Sequence, residues 1–219
     1  NSNAAAFIQD VIDQHEEDGD AAAAEAVRGL FDLDTIDIDV LRGGDGDDKI
    51  LGLDGLNEIY SGQGNDVIIG GSNSDQIHTG DGLDTVHAGS GDDHVTLGSG
   101  KKNIDVGDGH DQVVLAEGVS GFILGGQGHD ALQFAGQNGV LFEAWRKINI
   151  LNQSISDDQI IVEGFEDYRG TNGNDYLKGS ELDEVFDGGF GDDFLHGGSA
   201  GNDVFIASFG NDIINGYTG

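Results

Sequence analysis

Acidic residues recur at a fixed spacing through much of this sequence. From Gly43 the chain divides into units of nine residues, among them GGDGDDKIL and TGDGLDTVH, and eight units follow one another without a gap. Regularly spaced carboxylates can supply hard oxygen ligands for a cation. The sixth place of the unit holds, in chain order, Asp48, Asn57, Asp66, Asp75, Asp84, Asp93, Lys102, Asp111, Asp130, Asp175, Glu184, Asp193, Asp203 and Asp212.

Two other places of the unit predict the elements that position these side chains. The fourth place is usually glycine, which permits the positive φ of a sharp turn. The eighth place is an unbroken column of β-branched residues from Ile50 to Val113, which predicts a very short strand with one buried residue. We expect the column to include Phe122, to skip one residue at Leu124, and to continue through Leu132, Leu141, Ile150, Tyr168, Leu177, Phe186, Leu195, Phe205 and Ile214, with polar Gln159 as an interruption.

The repeated consensus G-G-x-G-x-D-x-U-x, seen in GGDGDDKIL, GGQGHDALQ and GGFGDDFLH, resembles the RTX calcium-binding repeats of secreted bacterial toxins, proteases, lipases and alginate epimerases. The resemblance covers about residues 43–133 and 170–216. It implies an all-β fold, a right-handed parallel β-roll in which two successive units form one turn, with a calcium-binding turn along each edge. Units that share an edge are then 18 residues apart.

The resemblance also implies the ligands of the ions. Each Ca²⁺ would lie between stacked turns, bound by sixth-place carboxylates and by carbonyls of the glycine-rich turns. Oxygen ligands that include several carbonyls suit Ca²⁺ better than Mg²⁺, which prefers a compact octahedron. The residues expected at the metal sites are Gly44, Gly46, Asp48, Gly62, Gly64, Asp66, Gly71, Asp75, Gly80, Gly82, Asp84, Gly89, Gly91, Asp93, Gly107, Gly109, Asp111, Gly126, Gly128, Asp130, Gly173, Asp175, Gly189, Gly191, Asp193, Asp203, Gly210 and Asp212.

Lys101 and Lys102 interrupt the acidic column in the unit LGSGKKNID. Lys102 would follow Asp84 on one edge, so we predict that its ammonium takes the place of calcium there. The alternative is that both lysines point into solvent and that this position stays empty. Either hypothesis predicts that no calcium lies between Asp84 and Lys102. Neutral Asn57 should weaken its site without abolishing it.

The composition divides the chain into four segments. Residues 1–34 include two short helices predicted within 4–31, which form an N-terminal cap or the end of an upstream domain. Residues 35–133 are the first block of repeats, and residues 170–219 are a second block, truncated at its C-terminus. Residues 134–169 lack the Gly-x-Asp turn, so we expect calcium-free spacer strands that continue the stack. Trp145 and Arg146 lie in this spacer, with packing and a ligand patch as alternative roles.

Charge and motifs exclude several functions. Nine basic residues face 42 acidic residues, and a net charge of −33 repels nucleic acid. No H-E-x-x-H motif occurs, and no cysteine is present. The strict periodicity of the carboxylates indicates ligands and not the acid pair of a glycosidase. We therefore expect no enzymatic activity in this segment, no signal peptide and no membrane span.

A chain with 39 glycines and this charge should be largely disordered without metal, so that calcium binding drives its folding. The expected function is that of an extracellular module that folds on Ca²⁺ after export and stabilises, or aids the type I secretion of, a larger exoprotein. The expected partners are calcium ions and an exporter. The alternatives are an adhesive module that binds a surface glycan, and an accessory domain of a secreted enzyme whose catalytic domain lies outside this chain.

Overall fold

The computed structural model describes residues 38–136, 140–143, 146–150 and 160–216. The chain divides into two compact units, Asn1–Ile36 and Asp37–Gly219, and the described residues all belong to the second. Within these ranges the regular structure consists of β-strands, with no helix. The helices predicted within residues 4–31 and the cap in residues 1–34 lie outside the described residues, as does Trp145.

The strands form two sheets, and the chain alternates between them through the repeats. The first sheet contains, in spatial order, β1 (Val40–Asp45), β3 (Glu58–Gln63), β5 (Gln76–His78), β7 (His94–Leu97), β9 (Gln112–Leu115), β11 (Ala131–Phe134), β15 (Asp167–Arg169), β17 (Val185–Asp187) and β19 (Val204–Ile206). The second contains β2 (Lys49–Leu53), β4 (Val67–Gly71), β6 (Asp84–Ser90), β8 (Gly100–Gly109), β10 (Val119–Gly128), β14 (Ile160–Glu163), β13 (Arg146–Ile150), β12 (Val140–Glu143), β16 (Tyr176–Lys178), β18 (Phe194–His196) and β20 (Ile213–Asn215).

Strands on the same sheet pair in parallel with a register of one full coil. Ile59 pairs with Ile77 on the first sheet, and Ile68 pairs with Val86 on the second, so both pairs are 18 residues apart. Two units of nine residues therefore make one coil, and the predicted parallel β-roll is confirmed. Each coil contacts only its neighbours, as in other solenoids.

The eighth-place residues form the interior between the two sheets. Ile59, Ile68, Ile77 and Val95 are each 0% exposed. Their β-branched side chains suit short extended segments. Burying each one contributes about 1.5–3 kcal/mol, which leaves a thin interior compared with that of a compact domain.

The expected place of Phe122 in this column is wrong. Ile123 pairs with Ile104 and is 0% exposed, whereas Phe122 is 49% exposed on the outer surface. The register changes to 19 residues at β8 and β10, so the extra residue lies between Leu115 and Val119 and not at Leu124. Three consecutive apolar residues in a unit without a glycine turn gave no sequence signal for the side that faces inward.

The spacer joins the two blocks differently on the two sheets. On the first sheet β11 pairs directly with β15, and Leu132 pairs with Tyr168, which is buried as expected. On the second sheet β12 and β13 form an antiparallel pair between β14 and β16. The spacer strands therefore extend the stack, but not with the parallel register that was expected. Phe142, and not Leu141, pairs with Leu177.

Candidate calcium sites

Sixth-place carboxylates connect successive coils along both edges of the roll. The backbone N–H of Asp48 donates to Oδ1 of Asp66 (2.9 Å), and the N–H of Asp75 donates to Oδ1 of Asp93 (2.8 Å). The same bond recurs along the chain, with N–H donors on Asn57, Asp66, Asp93, Asp111, Asp175, Glu184 and Asp193. This bond fixes each carboxylate and uses one of its two oxygens.

The second carboxylate oxygen is the feature that points to a cation. Buried Oδ2 atoms that lack a hydrogen-bond partner belong to Asp48, Asp66, Asp75, Asp93, Asp111 and Asp193. A buried ionised oxygen without a partner is costly, and such a group normally binds a metal or a charged donor. Because this arrangement recurs in stacked turns, we interpret it as a row of cation sites.

Burial shifts the titration of these carboxyls in the metal-free protein. Burial, together with the neighbouring carboxylates of Asp111 and Asp75, raises the pKa of Asp93 to about 7. Burial and its acidic neighbours raise the pKa of Asp111 to about 6 and that of Asp193 to about 6. A bound cation would favour the ionised form and counteract these shifts.

Glycines bring backbone carbonyls close to the same positions. Gly62, at the second place of its unit, has φ +106°, and a Cβ there would lie 2.0 Å from the carbonyl oxygen of Gly44 in the previous coil. Gly64, at the fourth place, has φ +139° and would place a Cβ 1.9 Å from the oxygen of Gly46. Only glycine permits this stacking of carbonyls. In the described residues no three Asp, Glu or His side chains converge on one point, so a metal site here requires backbone oxygens as well.

Lys102 shows which oxygens a cation contacts in such a turn. Its Nζ lies 2.5 Å from Oδ2 of Asp84 and donates to the carbonyls of Gly80 (2.8 Å) and Gly82 (3.2 Å). Both charged side chains are 0% exposed. The alternative in which both lysines point into solvent is therefore wrong for Lys102, although Lys101 is exposed. The ammonium is a stand-in ion: the equivalent oxygens in the previous coil belong to Gly62, Gly64 and Asp66, which fit Ca²⁺.

The predicted site residues fall on two edges. Asp48, Asp66 and Asp84 lie along the first edge with Lys102. Asn57, Asp75, Asp93, Asp111 and Asp130 are connected along the second edge. In the second block Asp175, Asp193 and Asp212 are connected in one row, and Asp203 follows Glu184 in the other. Asp175 differs from the other carboxylates because it accepts hydrogen bonds from Thr171 of its own turn.

Sequence reasoning missed Glu166 on the second edge. Its Oε2 accepts the backbone N–H of Asp130 (2.9 Å), and its carbonyl accepts the N–H of Val185. Glu166 therefore continues the sixth-place column where the spacer returns to the roll. The available signal was its position two residues before Tyr168, an eighth-place residue. Its turn lacks the glycine pattern, so it does not resemble a repeat.

A second hydrogen-bond ladder, at the fifth place, was also missed. The N–H of Asn65 donates to Oδ1 of Asp47 (2.8 Å), and the N–H of Asp92 donates to Oγ of Ser74 (2.9 Å). These side chains accept from the following coil, whereas sixth-place side chains accept from the preceding one. Other fifth-place acceptors are Asn65, Asp92, His110, Asn174, Asp183 and Asp192. This ladder is exposed and needs no metal.

The fold and the turns together define a parallel β-roll with cation-binding edges. A family model for the RTX calcium-binding nonapeptide repeat, in four copies, matches residues 34–68, 69–101, 169–199, 178–214 and 197–219. These segments include more than half of the sequence, and the chain belongs to the RTX calcium-binding nonapeptide repeat family. The predicted family and the predicted ligand, several Ca²⁺ ions, are confirmed. No curated protein sequence matches the chain significantly.

The described residues contain no helix with the length and apolar character that a membrane span requires. Members of the RTX repeat family are typically secreted, and the chain is a calcium-binding module of this family.

Proposed function

We propose that this chain is a module that folds on Ca²⁺ outside the cell and that stabilises, or aids the type I secretion of, a larger exoprotein. The observation that supports it is the row of buried Oδ2 atoms without partners, on both edges of the roll. Each is a position where the folded chain is incomplete without a cation.

The ions would be bound by Oδ2 of the sixth-place aspartates and by carbonyls of the glycines at the second and fourth places. The contacts of Lys102 with Gly80, Gly82 and Asp84 support this ligand set. Asn57 offers a buried amide oxygen, Oδ1, that also lacks a partner. A neutral amide oxygen binds Ca²⁺ more weakly than a carboxylate, so this site would have lower affinity.

The coupling of folding to metal follows from the interior and the charge. The core is one or two residues thick in each coil, and 42 acidic residues repel one another along it. Ion binding supplies folding free energy when the site does not exist in the unfolded chain. An unfolded chain at low cytosolic calcium can pass through an exporter and fold where calcium is abundant. Blocks 35–133 and 170–219 would bind the ions, and residues 134–169 would form a calcium-free spacer.

Surface aromatic residues do not favour the adhesive alternative. Tyr60 and His78 stack on each other with ring centroids 4.6 Å apart, and Arg42 covers the ring of Tyr60 at 4.8 Å. Tyr176 and Phe194 stack at 5.0 Å. Because these rings contact each other face to face, they connect neighbouring strands and offer their edges, not their faces, to a sugar.

A calcium titration followed by far-UV circular dichroism tests the proposed function. Strand signal should rise with calcium, not with equimolar magnesium, and should fall when a chelator is added. A chain with the full strand signal in excess chelator would refute the proposal.

A further inference from the structure

Two turns in the second block differ from the others at the second place. Thr171 in GTNGND and Ser180 in GSELDE replace the usual glycine. Second-place glycines have positive φ, such as +89° at Gly189, and even Leu53 adopts φ +68° at this place. Thr171 and Ser180 do not have positive φ. Their backbones therefore turn differently from those of the glycine turns.

This difference directs two donors in each turn at the sixth-place carboxylate. Thr171 donates its N–H to Oδ2 of Asp175 (2.8 Å) and its hydroxyl to Oδ1 (3.0 Å). Ser180 donates its N–H to Oε2 of Glu184 (2.8 Å) and its hydroxyl to Oε1 (2.8 Å). Asp175 is 3% exposed and Glu184 is 1% exposed.

We propose that Thr171 and Ser180 take the place of calcium in their own turns, so that Asp175 and Glu184 bind no ion. The lone pairs that a cation would need already accept protons from the chain. Asp193, in the next coil after Asp175, provides the contrast, because its Oδ2 is buried and has no partner. The inference rests on the proposed calcium binding at the glycine turns. It removes Gly173 and Asp175 from the ligands expected from the sequence.

Ion counting by native mass spectrometry at saturating calcium tests this inference. Thr171→Gly and Ser180→Gly should each raise the number of bound ions by one. Ser208→Gly is the matched control, since Ser208 also occupies the second place of its unit but donates its hydroxyl to Asp187 (2.9 Å). An unchanged count in both test variants, with several ions on the parent chain, would overturn the inference.

Conservative changes of the carboxylates give a second readout that does not need a refolded turn. Asp175→Asn should leave the number of bound ions unchanged, whereas Asp193→Asn should lower it by one. Loss of an ion from Asp175→Asn would overturn the inference. If the parent chain bound no calcium at all, the proposed function would fail, and the two failures are therefore distinguishable.

Independent observations concern the coils between Val95 and Phe134. At the first place of the unit the earlier coils bury small or polar residues, such as Ser61, Thr79 and Ala88. The middle coils bury large apolar residues at this place, namely Leu97, Val106, Leu115 and Phe134. The interior there is two apolar columns wide, and each added side chain contributes about 1.5–3 kcal/mol.

The backbone pairing is also more extensive in these coils. β8 and β10 are 10 residues long, and they pair from Gly100 with Val119 to Gly109 with Gly128, through the turns at both edges. Strands of the second block, such as β16 and β18, are three residues long. Lys102 supplies a cation from the chain itself within the same coils.

We infer that the coils from Val95 to Phe134 form without calcium and act as the nucleus on which the calcium-binding coils fold. A wider apolar interior and continuous strand pairing perform there the function that ions perform elsewhere. This inference also rests on the proposed calcium-dependent folding of the remaining coils.

Hydrogen–deuterium exchange in excess chelator tests this second inference. Peptides from 95–134 should stay protected, whereas those from 43–90 and 188–216 should exchange as in an unfolded chain. Leu97→Ala should remove the protection in chelator, and Thr79→Ala, at the same place in an earlier coil, should not. Uniform exchange of all these peptides in chelator would overturn the nucleus. Full protection everywhere in chelator would instead refute calcium-dependent folding.

Discussion

Replacing Lys102 with methionine removes the ammonium and keeps most of the apolar stem. Oδ2 of Asp84 loses its ion pair, and the carbonyls of Gly80 and Gly82 lose a donor. The carboxylate of Asp84 is 0% exposed, so water does not reach it. Removing one partner of a buried ion pair typically costs about 3–5 kcal/mol, because it leaves an uncompensated charge. We expect Lys102→Met to lower the free energy of unfolding by about this amount.

Urea unfolding in a fixed calcium concentration measures the effect, with circular dichroism as the signal. Lys101→Met is the matched control, because Lys101 is exposed and adjacent; its change should stay within about 0.5 kcal/mol. Asp84→Asn in the Lys102→Met background should recover part of the loss, since it removes the unpaired charge. Equal stability of the two methionine variants would refute the reasoning. Lys102→Asp should bind one additional calcium ion, and an unchanged stoichiometry would count against the stand-in role.

Three further predictions concern other parts of the roll. Leu53→Gly should stabilise the folded chain by about 1–2 kcal/mol in urea unfolding, because a leucine at φ +68° carries left-handed strain; no gain would show that the strain is relieved elsewhere. Asn57→Asp should raise the calcium affinity of the weakest site in isothermal titration calorimetry, and an unchanged isotherm would place no ion beside residue 57. The raised pKa of Asp93, about 7, means that the metal-free fold binds protons more tightly than the unfolded chain, so its stability falls as pH rises from about 4 to about 7. In chelator, residual structure should therefore increase between pH 8 and pH 5, while calcium affinity should weaken over the same change because protons compete for the carboxylates; opposite trends in circular dichroism would contradict both.

Much of the fold was predictable because each unit repeats the same physical instruction. The β-branched eighth place, the glycine at the fourth place and the acid at the sixth recur in phase, so errors in one unit are corrected by the next. Ile50 to Val113 follow this pattern without exception, and all are buried. The position of Lys102 beside Asp84 also followed from counting, because residues 18 apart meet on one edge.

Prediction failed where the period is lost. The residue that faces inward near Phe122 depends on where a single extra residue lies, and three adjacent apolar side chains suit either choice. The antiparallel strand β13 and the return of Glu166 to the second edge depend on pairing across 36 residues or more, which no local pattern encodes.

The sequence by itself determined the repeat, the parallel roll, the family and the columns of carboxylates, because all of them follow from periodic spacing. The tertiary structure alone decided which carboxylates have a spare oxygen. Asp193 and Asp175 occupy the same place in their units, yet only Asp175 is hydrogen-bonded by the second-place residue of its own turn. The physical reason is that a spare lone pair is a property of three-dimensional contacts: it depends on the direction in which a neighbouring N–H or hydroxyl points.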